Sequence, residues 1–359
     1  MCVLALADDM TGALEVGAKF SSAGIRTLVS AQPVPSSSAP VLVLDTETRH
    51  RSPELAAQEV RRFALESGAV SPRLVYKKTD STLRGNISAE LRALAELYPN
   101  WRIGYAPAYP GLGRTVKKGV LYIEGVPVAE TEFARDLMNP IRTSSVAEML
   151  EPSLACTIFD GETDEDLTEA ARTILSDSRM RIAAGPAGLA GTIAEQIDLP
   201  RGSPAPLPAV RSCLVINGSL HEKSSIQMQH AVAEGCIALE YGSAWRTFKG
   251  DRQLRTNPAE VANENAQCVL EQIMVGGPDA ILVIGGDTAF AVIKTLGLPP
   301  LVPIAEVVPG VPFTRVEAAH LAQAVPGRRR DLLLITKAGS FGGPDVLCRV
   351  RQRLSNVSR

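Results

Sequence analysis

The chain has 359 residues, of which 45% are hydrophobic, enough apolar content for two domains of ordinary size, each with its own core. Lys and Arg number 37 against 39 Asp and Glu, and the net charge of -2 gives no electrostatic case for nucleic acid or an anionic membrane surface as a partner. The 6 cysteines are scattered without a CxxC pair or a Cys/His cluster, so neither a zinc site nor a disulfide framework is expected, and most are read as small buried apolar residues.

No run approaches about 18 uninterrupted apolar residues, and "MCVLALADDM" reaches two aspartates too early for a signal peptide. The expectation is a cytoplasmic protein with no membrane partner.

Short aliphatic runs recur along the chain, each followed by a polar or glycine-containing turn and a helix-like segment. "CVLALA" leads into residues 11–23, "VLVLD" into 53–67 and "RLVYKK" into 87–97. "RIGYAPA", "ACTIFD" with a helix over 163–177 and "RIAAG" with a helix over 187–197 continue the alternation. Continuous apolar strands alternating with amphipathic helices predict α/β architecture with a mainly parallel sheet covered on both faces. Within this half, residues 106–142 hold Pro107, Pro110 and Pro127 and little periodicity. Their mix of Tyr109, Gly111, Gly113, Arg114 and Lys117 is read as an ordered functional loop. "GPAGLAG" at 185–191 has the spacing GxxGxxG with Pro186 inside it, and is read as close helix packing rather than a dinucleotide turn.

Residues 199–210 carry Pro200, Pro204, Pro206 and Pro208 with no periodic signal and read as a linker between domains at 1–198 and 211–359. The second half restarts with "SCLVING", a helix over 222–234, "CIALEY", a helix over 258–275, "AILVIGGDT", a helix over 289–296, and "DLLLITKAGSFGG" before a terminal helix. The expected fold is two open doubly wound domains with the active site in the cleft between them, since open parallel sheets bind ligands at the carboxyl ends of their strands.

"LALADDMTGA" runs a strand into Asp8 and Asp9 and then opens a helix. Two acids at a strand end can act as a base, hold a substrate hydroxyl or help position a metal, while Asp9 or Thr11 could also simply cap the helix. "VYKKTDSTLRGN" delivers Lys78, Asp80, Ser81, Arg84 and Asn86 at the end of another strand. Lys78 and Arg84 suit a carboxylate or phosphate, and Asp80, Ser81 and Asn86 suit hydroxyls, a set matched to a small polyhydroxylated anion.

In the second half "VINGSL" (Ser219), "VIGGDT" (Gly285, Gly286, Asp287, Thr288) and "ITKAGSFGG" (Lys337, Gly339) each follow an apolar strand and precede a helix. Glycines at strand ends let backbone N–H groups approach phosphates, and Asp287 could serve a phosphate-bound cation. His221, directly after this first motif, is read as a first-turn residue. There is no GxxxxGK[ST], which excludes a P-loop enzyme.

Taken together, "ADDMTGA", "KKTDSTLRGN", "APAYPGLGRTV" continuing to "GVPVAETEFARD", "GGDT", "PGVP" and "KAGSFG", in this order from Ala7 to Gly342, resemble the four-carbon acid sugar kinases, formerly a domain of unknown function. The resemblance implies ATP-dependent phosphorylation of the terminal hydroxyl of threonate, erythronate or 3-oxo-tetronate, with the sugar acid held by the N-terminal domain and the nucleotide by the C-terminal domain. Carried over by position, Asp8, Asp9, Lys78, Asp80, Ser81 and Arg84 form the sugar-acid side. Ser219, Gly285, Gly286, Asp287, Thr288 and Gly339 form the nucleotide side. "ETEFARD" resembles the threonate-type members, whereas Ala338 stands where a serine is common and the chain is shorter than many members.

The expected reaction is in-line transfer from MgATP to O4 of a tetronate, with Asp9, and next Asp8, accepting the hydroxyl proton. A homodimer is expected from the fold class. The competing readings are a non-catalytic two-domain sensor of a small acid, which has no use for three glycine-bearing strand ends, and an NAD-dependent dehydrogenase of a hydroxy acid, which the missing GxGxxG disfavours.

Overall fold

The computed structural model describes residues 2–68, 72–136, 138–239, 244–247, 258–275 and 277–355. The chain divides into two compact units, Met1–Ser203 and Pro204–Arg359, the division falling inside the proline-rich stretch.

The first unit runs β1 (Val3–Ala7), α1 (Met10–Ser22), β2 (Thr27–Ser30), β3 (Val41–Asp45), α2 (Pro53–Glu66), β4 (Leu74–Lys78), α3 (Ile87–Leu97), β5 (Ile103–Tyr105), β6 (Arg114–Lys117), β7 (Val120–Ile123), β8 (Val126–Pro127), α4 (Val146–Met149), β9 (Cys156–Ile158), α5 (Asp164–Ser176), β10 (Ile182–Gly185) and α6 (Ala187–Gln196). A 7-stranded sheet has the order β2-β3-β1-β4-β10-β5-β9, every pair parallel. Strands β1, β3 and β4 are buried at every residue, as strands covered on both faces must be. Helix α1 packs against α6 and α6 against α5, while α2 packs against α3. The order reverses around β1: the chain passes from β1 to the outer strand β2 and back through β3 on one side, then crosses to β4 on the other. That is a topological switch point, where the carboxyl ends of neighbouring strands open a crevice.

The 106–142 segment differs from its reading as a loop, because much of it forms a separate antiparallel sheet, β6-β7-β8. Both connections are two-residue turns with positive φ at each position, Lys118 and Gly119 at 51° and 73°, Glu124 and Gly125 at 51° and 85°. Turns of that kind match the twist of paired strands and fold hairpins too short to show periodicity.

The second unit runs β11 (Cys213–Asn217), α7 (Glu222–Ala233), β12 (Trp245–Thr247), α8 (Pro258–Met274), β13 (Ala280–Ile284), α9 (Gly286–Thr295), β14 (Val302–Val308), β15 (Val311–Val316), α10 (Ala318–Leu321), β16 (Leu332–Lys337) and α11 (Val346–Ser355). Its 6-stranded sheet has the order β12-β11-β13-β16-β15-β14. The β14–β15 hairpin pairs antiparallel along the β16 edge, an addition to the expected parallel core. "CIALEY" was expected as a strand; its described part makes only an isolated bridge, Ala238 to Arg246, and Glu240 and Tyr241 lie outside the described residues.

The expectation that no cysteines pair is overturned by a disulfide between Cys236, just after α7, and Cys348 on α11, 112 positions apart in sequence. Spacing alone could not show it, because packing of α7 against α11 brings the two together.

Candidate functional site

The acids, Arg49 and Lys78 of the first unit meet at the carboxyl ends of β3, β1 and β4, neighbours in the sheet, where Ala7 lies level with Asp45 on one side and Lys78 on the other. Asp9 is the N-cap of α1 and accepts from Gly12 N–H at 2.9 Å. The capping reading of Asp9 is therefore correct as local structure, but its other oxygen takes Arg49 Nη1 at 2.7 Å. Arg49 also holds Asp8 in a two-pronged pair, Nε to Oδ2 at 2.8 Å and Nη2 to Oδ1 at 2.9 Å. Asp8 is 2% exposed; burial raises its carboxyl, but Arg49, Lys77 and Lys78 together hold it below the ordinary value.

A second clamp forms in the turn after β4. Arg84 grips Asp80 through Nε at 3.0 Å and Nη2 at 2.9 Å, and reaches Asp136 Oδ2 at 3.3 Å. Thr82 N–H also donates to Asp80 at 3.0 Å, and the turn closes through positive φ at Leu83 and Gly85. A side chain at Gly85 would approach Asp8 Oδ2 to 3.2 Å, so the two clamps lie against each other. Burial raises Asp80, and Arg84, Arg49 and Lys78 more than offset it, leaving the carboxyl well below its usual range.

Strand alternation separates the two lysines of "KK". Lys77 is fully buried and pairs with Glu90 of α3 at 3.0 Å. Lys78, 4% exposed, turns toward the head of α1: a methyl added at Gly12 would lie 2.6 Å from Asp9 Oδ1 and 2.7 Å from Lys78 Nζ. Ser81 is buried in the turn beside them. Asn86 occupies the N-cap position of α3 but makes no capping bond; its amide instead donates to the Thr48 and Arg51 carbonyls at 2.9 Å each.

Arg49 was missed in sequence, and so were Asp45 and Glu47 beside it. Their signal was present: "VLVLDTETRH" is an apolar strand that ends in acids, hydroxyls and an arginine, the pattern that singled out the other two strand ends.

In the second unit the three glycine-bearing turns converge. β11, β13 and β16 are adjacent and parallel, with Asn217, Ile284 and Lys337 level at their carboxyl ends. Gly218 donates to the Ile284 carbonyl and Gly285 to the Lys337 carbonyl, each at 2.9 Å. A methyl at Gly218 would strike Thr288 Oγ1 at 1.8 Å, and one at Gly339 would strike Ser219 Oγ at 2.0 Å, so only glycine permits this packing. Gly285, with φ of 111°, is the N-cap of α9 and supplies no side chain to its first N–H groups. A glycine-capped helix N-terminus of this kind suits phosphate oxygens. His221 caps α7, its Nδ1 accepting from Lys223 N–H at 3.2 Å.

Lys337 is placed differently from the expectation of a ligand contact. It is fully buried, and its ammonium donates to the carbonyls of Ala338 at 2.6 Å, Phe341 at 2.9 Å and Gly339 at 3.4 Å, so it braces its own turn. Burial and neighbouring Lys223 push it down to about 7, while those three carbonyls favour the charged form. Asp287 is exposed in the first turn of α9. Among the described residues no three His, Cys, Asp or Glu side chains group closely enough to hold a metal alone. One exposed carboxylate beside a glycine cradle suits a Mg2+ that arrives on phosphates and keeps its waters.

A sugar-binding N-terminal domain model matches residues 3–155, and a nucleotide-binding C-terminal domain model matches residues 246–347. A D-threonate kinase of Salmonella typhimurium is 29% identical, with 97% of each chain covered. A D-threonate kinase of Cupriavidus necator is 28% identical, with 99% of this chain and 98% of its own covered. The crystal structure of a Haemophilus influenzae protein, 17% identical, shares the fold with a TM-score of 0.68 over 98% of this chain and 100% of its own. Paired domain models, likeness along the whole chain and ordered motifs from Ala7 to Gly342 identify the chain as a member of the four-carbon acid sugar kinase family.

Proposed function

We propose that the protein is an ATP-dependent kinase that phosphorylates the O4 hydroxyl of a four-carbon acid sugar, D-threonate first and D-erythronate next. The observation that carries the reading is Lys78 against the head of α1. Asp9 offsets part of the positive charge where that ammonium meets the helix N–H groups, and an anion shared between them offsets more of it. Arg49 and Arg84 are already engaged with Asp8 and Asp80, whereas the Lys78 ammonium spends one of its three donors on the Thr79 carbonyl at 2.9 Å, so Lys78 is the natural partner of the substrate carboxylate. The carboxylates and Ser81 around it supply acceptors for hydroxyls.

Bound ATP supplies the phosphoryl group, and its Mg2+ spreads the phosphate charge. Asp9 takes the O4 proton as the O4–phosphorus bond forms and the bond to the ADP oxygen breaks. It suits this role better than Asp8, because it is 17% exposed and each of its oxygens retains an acceptor site beyond Gly12 and Arg49. Residues 211–359 would hold the nucleotide through the Ser219, Gly285–Thr288 and Gly339 turns, with Lys337 bracing the last and Asp287 the carboxylate that would serve its Mg2+.

The test is ADP release with MgATP over D- and L-threonate, D- and L-erythronate and their oxo forms. Turnover on a tetronate, abolished in Asp9→Asn with ATP binding retained, is the expected result. Silence across the whole panel from protein that binds ATP would overturn the assignment of the acceptor.

A further inference from the structure

The buried stripe of α7 is made for bonding rather than for packing. It consists of Ser224, Gln227 and Ala231, at a helical spacing where aliphatic side chains are usual. Ser224 and Gln227 are both fully buried. The Ser224 hydroxyl donates to the His221 carbonyl at 2.7 Å, beside the turn that carries Ser219. Three residues on, the Gln227 amide reaches the last glycine-bearing turn and donates to the carbonyls of Phe341 at 2.9 Å, Gly342 at 3.0 Å and Gly343 at 3.2 Å. Its Oε1 is buried and, among the described residues, meets no donor. An unmade buried acceptor is costly, but the inverted amide would set an oxygen against three oxygens, so the turn dictates how the amide lies.

Lys337 takes the carbonyls of Ala338, Gly339 and Phe341 in the same turn, so five carbonyls between Ala338 and Gly343 point at two buried donors. A trans peptide sets its N–H opposite its C=O, and no peptide bond here is cis. The N–H groups of Gly339, Ser340, Gly342 and Gly343 therefore face away from Lys337 and Gln227, and among the described residues none of the four meets an acceptor. Gly339, Ser340 and Gly342 are half-buried and Gly343 is exposed, so the turn is open to solvent.

We propose that Gln227 is a positioning residue for the nucleotide: by drawing the Phe341, Gly342 and Gly343 carbonyls inward it fixes the turn with its N–H groups presented to phosphate oxygens. Successive N–H groups facing one way bind anions, but backbone as free as Gly342–Gly343 holds that shape only when another group sets it. The role in nucleotide binding rests on the kinase reading; the setting of the turn does not. Gln227→Met keeps the bulk of the side chain and removes both donors, while Gln227→Glu keeps its shape and puts an acceptor in their place. In the ligand-free full chain, a crystal structure of Gln227→Met should show the Gly342 or Gly343 carbonyl turned away from position 227.

By calorimetry, ADP and inorganic pyrophosphate should bind Gln227→Met about tenfold more weakly than wild type, the worth of one or two hydrogen bonds, and adenosine equally well. KM for MgATP should rise with the loss of ADP affinity, while kcat and KM for D-threonate stay within about twofold, a split that general damage to the fold would not give. Gln227→Glu should be at least as impaired toward ADP. An unchanged turn in the Gln227→Met crystal, wild-type affinity for ADP in either folded variant, or an equal loss for adenosine would overturn the proposal. Wild-type protein that binds adenosine but neither ADP nor pyrophosphate would overturn the phosphate role of the turn, whereas wild type that binds none of the three would overturn the nucleotide reading itself.

Discussion

Gly12→Ala tests the acid-sugar site without replacing a charged residue. The new Cβ would lie 2.6 Å from Asp9 Oδ1, 2.7 Å from Lys78 Nζ and 3.0 Å from Lys78 Cε. Ordinary contact needs roughly 3.5 Å, so both side-chain ends must retreat by about 0.8 Å. Both are ends of side chains and can move, so the backbone need not. Alanine favours the helix by up to about 1 kcal/mol, and a weakened Asp9 cap loses about as much, so the melting temperature should stay nearly constant. Displacing Lys78 from a substrate carboxylate removes a hydrogen bond to a charged group, about 1.5–3 kcal/mol, or roughly tenfold to a hundredfold in KM for D-threonate. Steady-state kinetics beside a thermal melt decides the matter. Unchanged KM and kcat in folded protein would refute the placement of Lys78 at the substrate, and a large drop in melting temperature would show that the glycine serves the fold instead.

Arg49→Met strips the shared guanidinium from Asp8 and Asp9 and should cost on the order of 3 kcal/mol in urea unfolding, because one buried charge is left behind. Asp8 and Asp80 are both held below their ordinary value of 3.8, so their contribution is complete above that pH and is lost as pH falls through the depressed values. Urea midpoints should accordingly drop below pH 3.8 in the wild type, and the drop should be smaller in Arg49→Met, which loses a cation that depresses both carboxyls. Gly339→Ala sets a methyl 2.0 Å from Ser219 Oγ, a strain of about 1–3 kcal/mol that should weaken ATP binding by calorimetry, with binding of the acid sugar unchanged. Without reductant, alkylation of denatured protein should label Cys2, Cys156, Cys213 and Cys268 but not Cys236 or Cys348, and Cys236→Ser should cost on the order of 3 kcal/mol.

The alternation of apolar runs with amphipathic segments was enough to read the parallel core, because a strand covered on both faces has to be apolar throughout. β6 to β8 were not legible for the opposite reason. Strands of two to four residues around Lys118–Gly119 and Glu124–Gly125 depend on positive φ at the turns, and neither Lys nor Glu announces it. The site was legible in its polar residues but not in their pairing. Lys77 and Lys78 look equivalent in "KK", yet the pleat sends one to Glu90 and the other to the head of α1. Asp8 and Arg49 are 41 positions apart, and only the parallel pairing of β1 with β3 makes them neighbours. Lys337 shows the converse: a lysine at a glycine-rich strand end invites a phosphate role, but the carbonyls of its turn claim all of its donors.

How the cations are committed also bears on which acids the proposed kinase accepts. A site meant for a phosphorylated substrate would need several donors free for a dianion, whereas here the guanidiniums of Arg49 and Arg84 are each locked to an aspartate. One ammonium beside a helix N-terminus, ringed by carboxylates, matches a single carboxylate carrying hydroxyls. The same carboxylates repel the charge that the product gains on O4, which favours its departure once transfer is complete. A pocket of this kind binds the substrate more strongly than its phosphorylated product, and product inhibition by 4-phosphothreonate should therefore be weak beside the affinity for D-threonate. Equal or tighter binding of the phosphorylated acid at the acceptor site would mean that Arg49 or Arg84 leaves its aspartate when ligand arrives, and that the two clamps are working parts rather than fixed walls.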